Sequence, residues 1–254
     1  MLIDNPWFYV AALPAVLIVG ISKSGFGGSL GMISVPLLSF AVSPATGAAI
    51  MLPILCVMDI LSWRAYRGKW DRRNLILLVP ASLVGIAVGT LTFHYMSDDA
   101  LRLIVGAIAA LFTVDHWIGR RPKLAEPGVG LGAVCGALSG FTSFIANAGG
   151  PILQVYLLPQ RMDKSLFVGT TVIYFFIINY VKLVPFAYLG LLSTENLMTS
   201  LVLLPLAPIG VWLGLRLHDL VSQGLFYRLM YVLTFAAGVK LIWDGLHLSA
   251  QLGL

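Results

Sequence analysis

Apolar runs follow one another along almost the whole chain, joined only by short polar connections. Runs of about 20 apolar residues match the hydrocarbon thickness of a bilayer when they are helical. Only 11% of the 254 residues are charged, whereas soluble domains carry roughly 25%. The mean hydropathy is +0.92. These values make the chain an all-α integral membrane protein. The longest strongly polar stretch, Arg64 to Arg73, leaves no room for a separate soluble domain. The formal charge of +5 does not point to nucleic acid, because the basic residues sit in short loops between apolar runs. Cys56 and Cys135 each lie inside an apolar run and read as small buried hydrophobes rather than a redox pair. The N-terminus, with Asp4 and no basic region, reads as a retained membrane segment.

The lengths of the runs are not uniform. Two short runs, near 7–20 and 30–43, precede long ones near 45–63, 74–95 and 100–118. After an Arg, Lys and Pro-rich connection come short runs near 129–142 and 148–159, then long ones near 165–187, 197–217 and 225–246. Residues repeat with the pattern. Ser24-Gly25-Phe26 recurs as Ser139-Gly140-Phe141, and Pro36 as Pro151, both 115 positions on. Asp59 corresponds to Asn179, while Pro80, Gly85 and Gly89 correspond to Pro205, Gly210 and Gly214. The expected organisation is a duplication: residues 1–119, a cytoplasmic linker at 120–128, and a second repeat at 129–254.

Charge sets the expected orientation. Twelve of the 16 Lys and Arg residues fall at 64–73, 120–123, 161–164, Arg216 and Arg228. The positive-inside rule makes these cytoplasmic. The connections near 96–99 and 188–196 hold Asp98, Asp99 and Glu195 but no Lys or Arg. Both termini are then extracytoplasmic, in a multi-pass protein of the inner (plasma) membrane. One half starts outside and the other inside, so the repeats have inverted topology. Each consists of a broken or re-entrant helix pair followed by three long transmembrane helices. Whether each short pair is two short spans or a re-entrant hairpin, the number of crossings per half stays odd.

The short pairs contain the stretches "SKSGFGGSLGMISVP" and "LSGFTSFIANAGGP". Paired interruptions at corresponding positions of inverted repeats mark the binding sites of secondary transporters. A broken helix leaves backbone N–H and C=O groups that lipid cannot satisfy, so it lines a wet cavity or is buried. Half-helix N-termini suit anions. Candidate substrate-binding residues are therefore Lys23, Ser24, Gly25, Gly27, Gly28 and Ser29 in the first stretch. In the second they are Ser139, Gly140, Thr142, Asn147, Gly149 and Gly150. Glycine and serine also let helices pack closely, which is the favoured reading for Gly85/Gly89 and Gly210/Gly214.

Lys23 either charges an anion site or snorkels to the cytoplasmic face, and at the 115-residue offset its counterpart is Leu138. Asp59 is the coupling-ion candidate, for a proton or a cation, or else a partner of Arg64. Asn179 and Lys182, three apart on one helix face, reach a cavity or point outward. Thr170, with Thr171, either contacts substrate or back-bonds its own helix. Gln154 sits mid-run and needs a partner. His94, His116, His218 and His247 fall at run ends and read as interface residues. No metal-ligand spacing, Walker A motif or cofactor motif is present.

"GFTSFIANAGGPILQVYLL" followed by "MDKSLFVGTTVIYFFIINYVKLVPFAYLG" resembles the second-half signature of the TauE/SafE sulfite-exporter-like permeases. The matching positions are Gly140, Gly149-Gly150-Pro151, Lys164, Thr170, Asn179 and Lys182. "SKSGFGGSLGMISVPLL" is similar to the family's first-half glycine-rich motif through Gly25, Gly27, Gly28 and Pro36. The resemblance implies transport of a small sulfur-containing anion, such as sulfite, a sulfonate or sulfoacetate, across the bilayer, with a proton or sodium as possible coupling ion. Two other readings stand beside it. "GALSG" faintly resembles an intramembrane serine protease, but no histidine lies at membrane depth to activate Ser139. A channel would use polar broken segments as a carrier does.

Overall fold

A computed structural model describes residues 3, 6–28, 38, 42–93, 98–118 and 127–251. Every regular element among the described residues is a helix. They run α1 (Pro6–Gly25), α2 (Pro44–Ala65), α3 (Arg72–Thr92), α4 (Asp98–Ile118), α5 (Val129–Ala146), α6 (Gly149–Leu157), α7 (Lys164–Tyr188), α8 (Thr194–Leu203), α9 (Leu206–Leu220) and α10 (Gln223–Gln251). Six of them, α1, α2, α3, α5, α7 and α10, contain stretches long and apolar enough to cross a membrane. The run near 30–43 lies mostly outside the described residues, as does most of the linker.

Local chemistry sets the helix starts. Ser43, Asp71, Asp163 and Ser193 each accept a backbone N–H of the first turn that follows, at 3.2, 2.7, 2.8 and 3.2 Å. Such caps satisfy N–H groups that lipid leaves orphaned. Pro44 pre-sets the first turn of α2.

The first runs of the two halves, expected near 7–20 and 129–142, do not end there. Instead α1 has 20 residues and α5 has 18, or about 30 and 27 Å at the α-helical rise. The apolar run stops at Gly20, but the helix continues because serine and lysine tolerate it. Ser24 returns its hydroxyl to Gly20 O at 2.8 Å. α5 and α6 form a helical hairpin with a short second arm, since the nine residues of α6 reach only about 14 Å. Both ends of that hairpin lie at one end of the molecule. Pro127 and Val129 before and in α5, Tyr156 and Gln160 at the exit of α6, and Asn74 of α3 line one cleft. There Asn74 and Gln160 exchange side-chain hydrogen bonds of 2.8 and 3.1 Å. The run near 197–217 is not one long helix either: α8 and α9 meet at a 48° bend. Pro205 lies at that break and has no N–H to continue the ladder, although its counterpart Pro80 is accommodated inside α3.

The helices associate across the halves. α1 lies against α9, α5 against α3, α2 against α7, and α4 against α10. Glycines set the crossings, as small residues do in lipid. A Cβ on Gly210 would come within 3.1 Å of Gly20 Cα, and one on Gly238 within 2.7 Å of Ala110 N. A Cβ on Gly85 would strike the Ala137 carbonyl. Gly85, Gly89, Gly210 and Gly214 are thus packing glycines.

The basic connections gather at one end. There Asp71 N–H donates to Thr170 Oγ1 at 2.8 Å, Tyr227 Oη to Met162 O at 2.7 Å, and Lys164 N–H to Gln223 Oε1 at 2.8 Å. Tyr66 closes this end over α1, donating to Ser24 O at 2.7 Å. Burial, reinforced by Asp219, pushes the Tyr66 phenol above its ordinary value, so it stays a donor.

Candidate functional site

The two tips at the ends of α1 and α5 close alike. The chain turns through positive φ at Gly27 (61°) and Asn147 (52°). The next N–H, of Gly28 or Ala148, then returns to a carbonyl six residues back, Ser22 O or Thr142 O. The two turn residues lie 120 positions apart, as Asp59 and Asn179 do, whereas the Ser-Gly-Phe triplets lie 115 apart.

The tips meet beside a cavity of about 30 Å³, lined by Val19, Lys23, Gly28, Leu55, Ser143, Asn147, Phe175 and Asn179. That is room for about one or two waters. A Cβ on Gly28 would lie 3.2 Å from the Phe175 ring, so glycine is required both by the turn and by the ring.

Lys23 does not snorkel. It is 4% exposed, and its Nζ lies 2.8 Å from Asp59 Oδ1 and 5.5 Å above the Phe175 ring. Asp59 is fully buried. Its partner is this lysine rather than Arg64, and its Oδ2 accepts from Asn179 Nδ2 at 2.8 Å. Asp59 and Asn179, expected from the sequence to correspond in the two halves, touch each other.

Lys182 is also fully buried. Its Nζ donates to Ser143 O (3.0 Å), Ser143 Oγ (3.1 Å) and Asn147 Oδ1 (2.9 Å). An ammonium has three donors and no acceptor, so three neutral acceptors fit the charged form. Ser143 O belongs to the last turn of α5, where a cation is favoured by the helix dipole. The Asn147 Nδ2 has no hydrogen-bond partner.

The charge pattern follows. Two buried lysines lie beside one buried aspartate among the described residues. Among the described cavity-lining residues, Lys23 and Ser143 lie in the last turns of α1 and α5, while α6 begins two residues beyond Asn147. The positive charge comes from the lysines.

The other candidates are placed elsewhere. Ser24 bonds Val211 O at 3.0 Å on the seam of α1 with α9, and a Cβ on Gly25 would meet Gly214. Gly140 would meet Ser82 of α3, and Gly149 would meet Ser139 and Ser143. Ser139 donates to Gly149 O at 2.8 Å, holding the hairpin together. Thr142 back-bonds Leu138 O at 2.9 Å. Gly150 is buried in the first turn of α6. Gln154 accepts from Thr234 of α10. Thr170 back-bonds Leu166 O at 2.7 Å while accepting from Asp71, and Thr171 donates to Val168 O at 2.8 Å. A Cβ on Gly27 would sit 2.8 Å from Phe167. Ser29 lies outside the described residues. His218 is buried at the basic end, with ring nitrogens 3.1 Å from Gly25 O and 3.2 Å from Ser165 Oγ.

Sequence reasoning missed Ser143 and Phe175. Ser143 was legible in retrospect, since it precedes Asn147 by one helical turn and shares its face. Phe175 carried no signal among so many aromatics.

The protein-family model described as Sulfite exporter TauE/SafE matches residues 12–241. Comparisons with curated proteins and with solved structures return no significant match.

Proposed function

Since the chain belongs to the TauE/SafE sulfite-exporter family, a membrane transporter family, we propose that it is a secondary transporter, of exporter type, for a small sulfur oxyanion or sulfonate. The anion binds between the two tips, against Lys23 and the amides of Asn147 and Asn179, with Lys182 adding charge from behind Ser143. The observation that carries this reading is the residue count: two buried lysines for one buried aspartate beside a cavity. Buried ions persist only where partners compensate them, so the centre suits one further negative charge. An unbonded Asn147 amide beside it supplies a neutral donor.

A tetrahedral sulfonate is larger than the cavity, so loading requires the tips to part. In this reading the halves are inverted repeats, and the basic end is cytoplasmic. Rocking of the halves would expose the central anion to each side in turn. The cross-half pairing of α1 with α9 and of α5 with α3 supports it, because two-fold symmetry exchanges those pairs.

Purified protein in proteoliposomes tests the reading. Sulfite, sulfoacetate and taurine are offered under separate proton and sodium gradients, with counterflow measured for each. Saturable exchange of a sulfur anion is expected. Flux that rises linearly with the driving force would assign a channel instead.

A further inference from the structure

The geometry points to Asp59 as the binding site of a coupling proton: the Asp59 carboxylate and the transported anion compete for the Lys23 ammonium, so proton and anion are carried together. This inference rests on the anion-transport reading and deepens it.

Lys23 lines the cavity and has one carboxylate partner among the described residues, Asp59 at 2.8 Å. Asp59 Oδ1 makes no hydrogen bond beyond that ion contact, and Oδ2 is held by Asn179. An anion in the cavity would approach Lys23 and Asn179, the same two groups that hold Asp59. Two anions sharing one ammonium in a dry centre repel each other strongly. A proton on Asp59 removes the repulsion and frees Lys23 to turn to the anion. Without the anion, the ionised Asp59 neutralises Lys23, and the empty carrier returns with that pair intact.

The surroundings favour a proton over sodium. Lys23 already occupies the Oδ1 side, whereas a proton needs no space. The charged and titratable groups facing Asp59 are Lys23 from α1, Lys182 and Tyr180 from α7, and Cys56 on α2 itself. The α5 tip contributes only neutral groups, Ser143 and Asn147. On α8 and α9, Glu195 and Asp219 are exposed, Arg216 stacks on Trp212, and His218 bonds Gly25 O.

The probe is sulfoacetate, because sulfite itself takes up a proton near neutrality whereas both acid groups of sulfoacetate stay ionised between pH 6 and 8. Binding to purified wild-type protein is measured across this range, with proton uptake followed in weakly buffered solution by an indicator dye. The expected result is uptake of about one proton per anion. Affinity should rise up to about tenfold per unit fall in pH, as for one linked proton. Asp59→Asn, isosteric with the protonated acid, is expected to bind with an affinity independent of pH. Wild-type binding without proton uptake and with flat affinity would overturn the inference while leaving the transport reading intact. Absence of binding and of flux for every sulfur anion tested would overturn both. The dye measurement uses wild-type protein alone and decides the matter even if Asp59→Asn does not fold.

Discussion

At the residue scale, the two buried lysines respond differently to loss of their partners. Lys23 depends on Asp59, so Asp59→Ala leaves a buried ammonium uncompensated. Removing one member of a buried pair costs about 3–5 kcal/mol, and a large drop in melting temperature is expected. Lys182 has only neutral partners. Lys182→Met removes a buried charge and keeps most of the volume, a change that is often neutral or stabilising. The expected outcome is an unchanged or higher melting temperature with sulfur-anion affinity reduced about a hundredfold, or about 2.7 kcal/mol. Retained affinity in Lys182→Met would show that its charge does not serve the anion. Both lysines were visible in the sequence as ionisable groups at membrane depth. Their separate roles were not, because the partners lie far along the chain. The Ser-Gly-Phe triplets also drew the register of the halves to 115, where Lys23 is opposite Leu138. The positive-φ turns at Gly27 and Asn147 lie 120 apart, and at that offset Lys23 falls on Ser143.

At the element scale, the tips at the ends of α1 and α5 each depend on a residue that accepts positive φ. Gly27 does so without penalty, and Asn147 is the non-glycine type that tolerates it best. This separates conformation from chemistry at one position. Asn147→Ala should lose about 1–2 kcal/mol of backbone compatibility and also the acceptor for Lys182. Asn147→Gly keeps the turn and loses only the amide. Thermal melting is therefore expected to fall more for alanine than for glycine, while both weaken anion binding. Equal destabilisation by the two would show that the turn is not what asparagine supplies. At the helix crossings, Gly85→Leu must displace the Ala137 carbonyl, whereas a Cβ on Gly130 meets nothing within 4 Å. Gly85→Leu is expected to abolish recovery of folded protein, and Gly130→Ala to change stability by no more than about 0.5 kcal/mol. Helix existence was legible from apolar runs and caps such as Ser43-Pro44 and Asp71. Helix ends were less so, because hydropathy stops at Gly20 while backbone hydrogen bonding continues to Gly25.

At the scale of the whole molecule, charge and packing describe the same arrangement. Connections carrying Arg67, Lys69, Arg72, Arg73, Arg161 and Lys164 gather at one end, and the described connections at the other, near 42–43 and 189–193, carry no Lys or Arg. Loop composition alone made this asymmetry readable. It could not show which helices touch, since the pairings join residues from opposite halves. The asymmetry yields a test of orientation for which the protein is already prepared, because both native cysteines are free and buried and should be silent towards aqueous reagents. Arg67 and Glu195 are both exposed, at opposite ends. With Arg67→Cys and Glu195→Cys made singly, a membrane-impermeant maleimide applied to intact cells is expected to label only Glu195→Cys. Arg67→Cys should react once the membrane is permeabilised. The positive-inside rule acts through the basic loops themselves, so the reverse labelling would place them outside. It would also reverse the face from which an anion first meets Lys23. Lys23 lies in the last turn of α1, and the carbonyls of the next two residues are held by Tyr66 and His218 at the basic end. If that end is cytoplasmic, those two contacts close the inner side of the site. Tyr66→Phe, which removes only the donor to Ser24 O, is then expected to speed release of anion to the cytoplasmic side, with equilibrium affinity changing less than the rate. Unchanged exchange kinetics in Tyr66→Phe would show that this contact holds the tip without gating it.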